Sequence, residues 1–224
     1  MQIDNLRGVR LVVSLSLHFT TRRTPRKLRL MATLGKNINH INMSKVIFLH
    51  GTSSSGKSTL AKELKSKALI PFWHFSSDQL VEAGVLPEAK NDGGAFDWSI
   101  NRPLFFKAFH GCIESILDSG NNIILDHIIE CNEWYVELQH ILKKHDLFFV
   151  GVYCPMELLQ SREKARRDQH IGNRYIGEAE YHLKHVHSFS EYDFELDTSK
   201  HSNEKNAELI LKAWQNRATS KFCK

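Results

Sequence analysis

"VIFLHGTSSSGKSTLAKEL", Val46 to Leu64, changes character twice within one short stretch. It opens on the apolar run Val46–Leu49, the pattern of a strand covered on both faces. It closes with Leu60, Ala61 and Leu64 spaced to share one face of a helix. Between them, Gly51-Thr52-Ser53-Ser54-Ser55-Gly56-Lys57-Ser58, followed by Thr59, fits G-x-x-x-x-G-K-[ST] at every position. Small residues and glycine let the backbone N–H groups wrap an anion, and the new helix turns its positive end toward the same charge. In this pattern Lys57 reaches the β- and γ-phosphates of a nucleotide and Ser58 ligates Mg²⁺. The expected nucleotide-binding residues are therefore Gly51 to Thr59. The loop alone does not separate a kinase from a motor or a switch.

Working outward, apolar runs alternate with helix-period segments. The strands are expected at 46–50, 72–76, 122–127, 147–154 and 194–198. Helical faces are marked by Phe105, Phe109, Ile113 and Ile116, then by Trp134, Leu138, Ile141 and Leu142, and later by Ala207, Ile210, Leu211 and Trp214. This β-α alternation argues an α/β fold with a five-stranded parallel sheet between helices, a three-layer α/β/α arrangement. Gly84 to Pro103 reads as one long polar loop, able to cover a substrate or merely to connect.

In such sheets the ligand sits at the carboxyl ends of the strands, so the residues there carry the chemistry. "FSSDQL" places Asp78 just past the second strand, either as a base for a substrate hydroxyl or as a helix cap, with Ser77 as the rival cap. "IILDH" ends the third strand on Asp126, which fits a carboxylate that holds Mg²⁺ directly or through water. "LLQSREKARRD" carries Arg162 and Arg166 four residues apart, on one face. They can neutralise a phosphoryl group in transfer, or form an ordinary solvated helix with Glu163 and Asp168. His182, His185 and His187 lack metal-ligand spacing and read as surface or lid residues.

Charge is distributed unevenly. Residues 1–43 hold eight of the 30 Lys/Arg and one of the 25 Asp/Glu, which leaves 22 bases against 24 acids in 44–224. The body therefore lacks the basic balance of a nucleic-acid binder. No apolar run approaches a membrane span, so no membrane partner is expected. None of Cys112, Cys131, Cys154 and Cys223 forms a CxxC pair, consistent with free thiols and a cytoplasmic location. Residues 1–43 are expected to be a basic, poorly ordered extension, with translation starting at Met43 favoured over a transit peptide. Residues 44–224 are expected to be the functional domain.

Several segments together resemble the chloramphenicol phosphotransferase family, small P-loop kinases of adenylate-kinase-like fold with a helical lid. They are "IFLHGTSSSGKST", "FSSDQLVEA", "GNNIILDHII", "FFVGVYCPMELLQSREKARRD" and "VHSFSEYDFELDTS", in order over most of the body. The resemblance implies an ATP-dependent phosphotransferase that acts on a hydroxyl of a small molecule, with ATP and Mg²⁺. It implies Asp78 as the catalytic base and Arg162 and Arg166 as the lid arginines, beside Lys57. The family's Arg-Asp-Arg run is interrupted here by Gln169, so either one lid arginine is lost or Arg167 replaces it. The alternatives are a kinase of a sugar, nucleoside or other metabolite on the same scaffold, or a nucleotide-binding ATPase module with no acceptor.

Overall fold

The computed structural model describes residues 43–88, 90, 92–168, 180, 182, 185–189 and 191–222, with the backbone alone at 166–168. The expected extension, apart from Met43, and the lid segment 169–179 lie outside the described residues.

Five strands are present among the described residues: β1 (Lys45–Gly51), β2 (Trp73–Ser76), β3 (Ile123–Asp126), β4 (Asp146–Tyr153) and β5 (Phe194–Asp197). All pair in parallel, in the order β2-β3-β1-β4-β5. The helices are α1 (Lys57–Lys67), α2 (Ser77–Glu82), α3 (Trp98–Asp118), α4 (Asn132–Leu142), α5 (Met156–Asp168) and α6 (Asn203–Gln215).

Strand periodicity divides the core in two. Val46, Phe48, Ile123, Leu125, Leu147 and Phe149 face one side, with Phe109, Ile113 and Leu117 of α3 and Leu138 and Leu142 of α4. Their alternates Ile47, Leu49, Ile124, Phe148, Val150 and Val152 face the other, with Leu60, Ala61 and Leu64 of α1 and Ala207 and Ile210 of α6. Both faces of the central strands are therefore covered, which is why β1 and β4 read as nearly unbroken apolar runs. No described helix is long and apolar enough to cross a membrane. The described cysteines, Cys112, Cys131 and Cys154, are free thiols.

One expected loop proves shorter. Trp98 to Pro103 belong to α3, because Asp97 caps the helix by accepting from Ser99 N at 2.9 Å. The Asp97 cap sets the boundary, and α3 carries Pro103 inside it.

The chain end packs back onto this core. Phe222 is fully buried, with ring centroids 4.6 Å from Phe149 and 5.1 Å from Tyr135. Asp193 holds the tail, accepting from Lys221 N at 2.8 Å and Ser220 Oγ at 2.5 Å, while also accepting from Phe149 N at 2.8 Å.

Candidate active site

β1 lies between β3 and β4, and its carboxyl end delivers the phosphate loop to the middle of the sheet's edge. Gly51 ends the strand where a Cβ would stand 2.2 Å from the Val152 carbonyl oxygen, so no side chain fits. The loop then turns through left-handed residues, Ser54 at φ 62° and Gly56 at φ 99°, before α1 begins at Lys57. Lys57 folds back and donates from Nζ to the carbonyls of Gly51 (3.0 Å) and Thr52 (2.7 Å). Thr52 Oγ1 and Ser55 Oγ are buried with no hydrogen-bond partner among the described residues. Unsatisfied buried hydroxyls in a glycine-bounded loop at a helix N-terminus fit the oxygens of a bound phosphate.

The hydroxyl of Ser58, the second residue of α1, donates to Asp126 Oδ2 at 2.7 Å. His74, on the neighbouring β2, brings Nε2 to 3.6 Å from the same oxygen. Burial pushes the Asp126 carboxyl up, but His74, the Lys57 ammonium and the Ser58 hydroxyl outweigh it and hold the group below the ordinary carboxylate value. Asp126 is thus an anion beside a hydroxyl, the hard oxygen pair that Mg²⁺ accepts together with waters and substrate phosphates. Among the described residues no group of three or more His, Cys, Asp or Glu side chains forms a ready metal cage. That also suits Mg²⁺, which is seldom held by an all-protein cage.

Sheet register places the third element. Asp126 pairs with Leu49 on one side and with Ser76 on the other, so the strand that leads to Asp78 ends level with the Asp126 carboxylate. Neither Asp78 nor Ser77 caps α2. Ser76 does, accepting from Gln79 N at 3.3 Å while Gln79 Oε1 accepts from Ser76 N at 3.1 Å. This capping box satisfies the helix start, and the partly buried Asp78 lies in the first turn.

The arginine helix divides. Arg162 comes to the back of the loop, where one guanidinium nitrogen donates to the carbonyls of Ser54 (3.4 Å) and Ser55 (3.3 Å) and to Thr198 Oγ1 (3.3 Å). Thr198 in turn donates to Ser55 O at 2.8 Å. Arg162 therefore braces the loop through its carbonyls. Arg166 and Arg167 lie on α5, and their side chains fall outside the described residues.

Sequence reasoning placed the histidines on the surface or lid, and the structure corrects this for two of them. His182 is buried and its Nδ1 accepts from Ser53 N of the phosphate loop at 3.4 Å. Its Nε2 stands 3.8 Å from Glu130, which pairs with Arg102 at 2.6 Å. Arg102 in turn lies over the Phe106 and Trp134 rings, 5.0 and 5.1 Å from their centroids. His187 bonds the Tyr192 hydroxyl at 2.7 Å and stacks on Tyr153 at 4.0 Å. No local pattern marks either residue: Ser53 is distant from His182 in sequence, and Tyr153, on which His187 stacks, ends another element.

Burial first, then the Lys57 charge, pushes both His182 and His187 down to about 4, with Arg102 adding to the effect at His182. In the unfolded chain a histidine titrates near 6.5. Stability is thus full above that value and is lost as pH falls toward 4, because the unfolded chain takes up protons that the fold refuses. His182 should cost up to about 2 kcal/mol between pH 7 and pH 5, and the half-buried His187 less, because solvent screens it. Thermal melts across this range are expected to show Tm falling with pH, and a flat profile would contradict the burial of these rings.

The fold and this site define a P-loop kinase, an ATP-dependent phosphotransferase. The chain belongs to the family described as chloramphenicol phosphotransferase-like protein, which matches residues 44–215. A candidate O-phosphotransferase found in two strains of Mycobacterium tuberculosis is 30% identical over 174 residues, covering 69% of this chain and 75% of that protein. Among solved structures, the fold is similar to that of the APS kinase of M. tuberculosis in complex with AMPPNP and APS. The TM-score is 0.56 at 18% identity, over 77% of this chain and 98% of the other. A candidate kinase from Chloroflexus aurantiacus gives a TM-score of 0.58 at 16% identity, over 80% and 100%. With the family comes its chemistry: this chain is an ATP-dependent kinase of a small-molecule hydroxyl.

Proposed function

We propose that ATP lies on Gly51–Thr59 and that Asp78 is the base that activates the acceptor. The observation that carries this reading is the register Leu49–Asp126–Ser76, which brings the phosphate loop, the Asp126 carboxylate and the turn bearing Asp78 to one sheet edge. Asp78 takes the proton of the acceptor hydroxyl as its oxygen bonds to the γ-phosphorus. The bond from that phosphorus to the bridging oxygen breaks, and ADP leaves with the electron pair. Lys57, released from the Gly51 and Thr52 carbonyls, meets the β- and γ-phosphate oxygens. Arg162 holds the loop in shape, and Arg166 supplies charge from the lid side. Ser58 and Asp126 would hold Mg²⁺, which when bound neutralises the charge on those oxygens.

The kinase domain in this reading is 44–224, supported by the family match over 44–215, with residues 1–43 outside it. The acceptor is a small hydroxylated molecule rather than a polynucleotide, supported by the excess of acids over bases in the body. A cytoplasmic location accords with the free thiols. The test is ATP turnover with and without a panel of hydroxylated acceptors, with chloramphenicol assayed first and sugars and nucleosides next. Acceptor-stimulated ADP release with a phosphorylated product is expected. Slow hydrolysis indifferent to every acceptor would favour an ATPase module instead.

A further inference from the structure

His50 is the residue before the phosphate loop and points into the fold, fully buried. Its Nε2 accepts from the backbone N–H of Ile129 at 3.0 Å, and its Nδ1 lies 2.8 Å from the Tyr192 hydroxyl. That hydroxyl also lies 2.7 Å from His187 Nδ1.

The protons along this chain follow from one fixed donor. A backbone N–H can only donate, so His50 Nε2 is an acceptor and carries no hydrogen. Burial, reinforced by the charge of Lys57, keeps His50 and His187 neutral. Neutral His50 then bears its proton on Nδ1 and donates it to the Tyr192 oxygen. The Tyr192 hydrogen is left to donate to His187 Nδ1. His187 must therefore carry its own proton on Nε2. That Nε2 is buried and has no hydrogen-bond partner among the described residues. A buried N–H donor left unpaired is costly, and natural folds rarely tolerate one without a use.

The surroundings are built for this relay. His50 on β1 pairs with Gly151 on β4. A Cβ on Gly151 would stand 2.6 Å from the Tyr192 ring, so glycine is what lets Tyr192 lie over the strand and reach His50. The His187 ring stacks on Tyr153, the last residue of β4, at the strand ends where ligand binds. Its centroid is 6.2 Å from that of His50, which adjoins Gly51.

We propose that His187 is a phosphate-contacting residue, its Nε2–H held in that tautomer by the Ile129–His50–Tyr192 relay and donated to a phosphate oxygen of the bound nucleotide. The inference rests on the reading of Gly51–Thr59 as the ATP site. His50 and Tyr192 are positioning residues, acting only through His187.

Two measurements on the full chain test it. The first is ¹⁵N NMR of the imidazoles in the unmutated protein. The Nε2–H tautomer is expected at His187, with its Nε2 resonance shifting when a non-hydrolysable ATP analogue is added. An Nδ1–H tautomer, or a resonance the analogue leaves unmoved, overturns the proposal. The second is calorimetric binding of the same analogue without acceptor. His187→Phe keeps the stack on Tyr153 and loses the donor, and should weaken binding roughly tenfold or more. His187→Gln, which retains an N–H donor, should recover part of the loss. Tyr192→Phe should weaken binding less, and should add little to His187→Phe in the double variant. If His187→Phe binds like the wild type, His187 is not the contact. If the unmutated protein binds no analogue at all, the nucleotide site itself is misassigned, and the proposal falls with it.

Discussion

Asp78→Asn is expected to lower kcat by about 10²–10⁴-fold, the usual contribution of a positioned general base, while nucleotide affinity stays within a few-fold of the wild type. The substitution keeps size and hydrogen-bonding shape and removes only the ability to accept a proton. The cap of α2 does not depend on it, because Ser76 and Gln79 form the capping box. This separates the two roles that the sequence left open. A helix cap replaced by asparagine would keep full activity, since asparagine caps as well as aspartate. Single-turnover kinetics with a working acceptor, beside calorimetric binding of an ATP analogue, make the comparison. Phosphorylation of that acceptor at near wild-type rate would remove Asp78 from the mechanism.

Phe222→Ala should destabilise the protein by about 3–5 kcal/mol, the range for emptying a buried phenylalanine site. For a chain of this size that corresponds to a fall in Tm of roughly 6–20 °C. The ring fills space between β4 and α4, against Phe48, Phe149 and Tyr135. Its carbonyl also accepts from Gln139 Nε2 at 2.6 Å, so the tail stitches α4 to the sheet as well as plugging the core. Lys221→Ala, which loses only an exposed pair with Glu191, is the matched control and should change Tm little. Equal melting of Phe222→Ala and Lys221→Ala would show that the tail is not part of the core.

Much of the active site was legible because its parts are local. The phosphate loop needs a strand, small residues and a helix in immediate succession, and all three are written between Val46 and Leu64. Asp126 could be read as the acid that closes an apolar run, at the strand end where ligands sit. Asp78 was found but not decided, because aspartate suits a cap and a base equally. Ser76, two residues earlier, takes the cap through a contact that the sequence also permits at Ser77 or Asp78, and the base role of Asp78 is our proposal. The start of α3 went unseen because 84–103 reads as one long polar loop, whereas the Asp97 cap starts the helix at Trp98.

The sequence by itself determined the parallel sheet and the phosphate loop, because apolar period and glycine placement act over a few residues along the chain; the class of reaction came from the family resemblance. The tertiary structure alone decided what surrounds them. It set Arg162 against the loop carbonyls, His182 on the Ser53 N–H, His187 at the end of a relay from Ile129, and Phe222 inside the core. Each of these contacts joins residues far apart in sequence, such as Ser53 with His182 and Phe149 with Phe222. Their partners are selected by sheet register and by the space that a glycine leaves at Gly151, and neither quantity exists until the strands have paired.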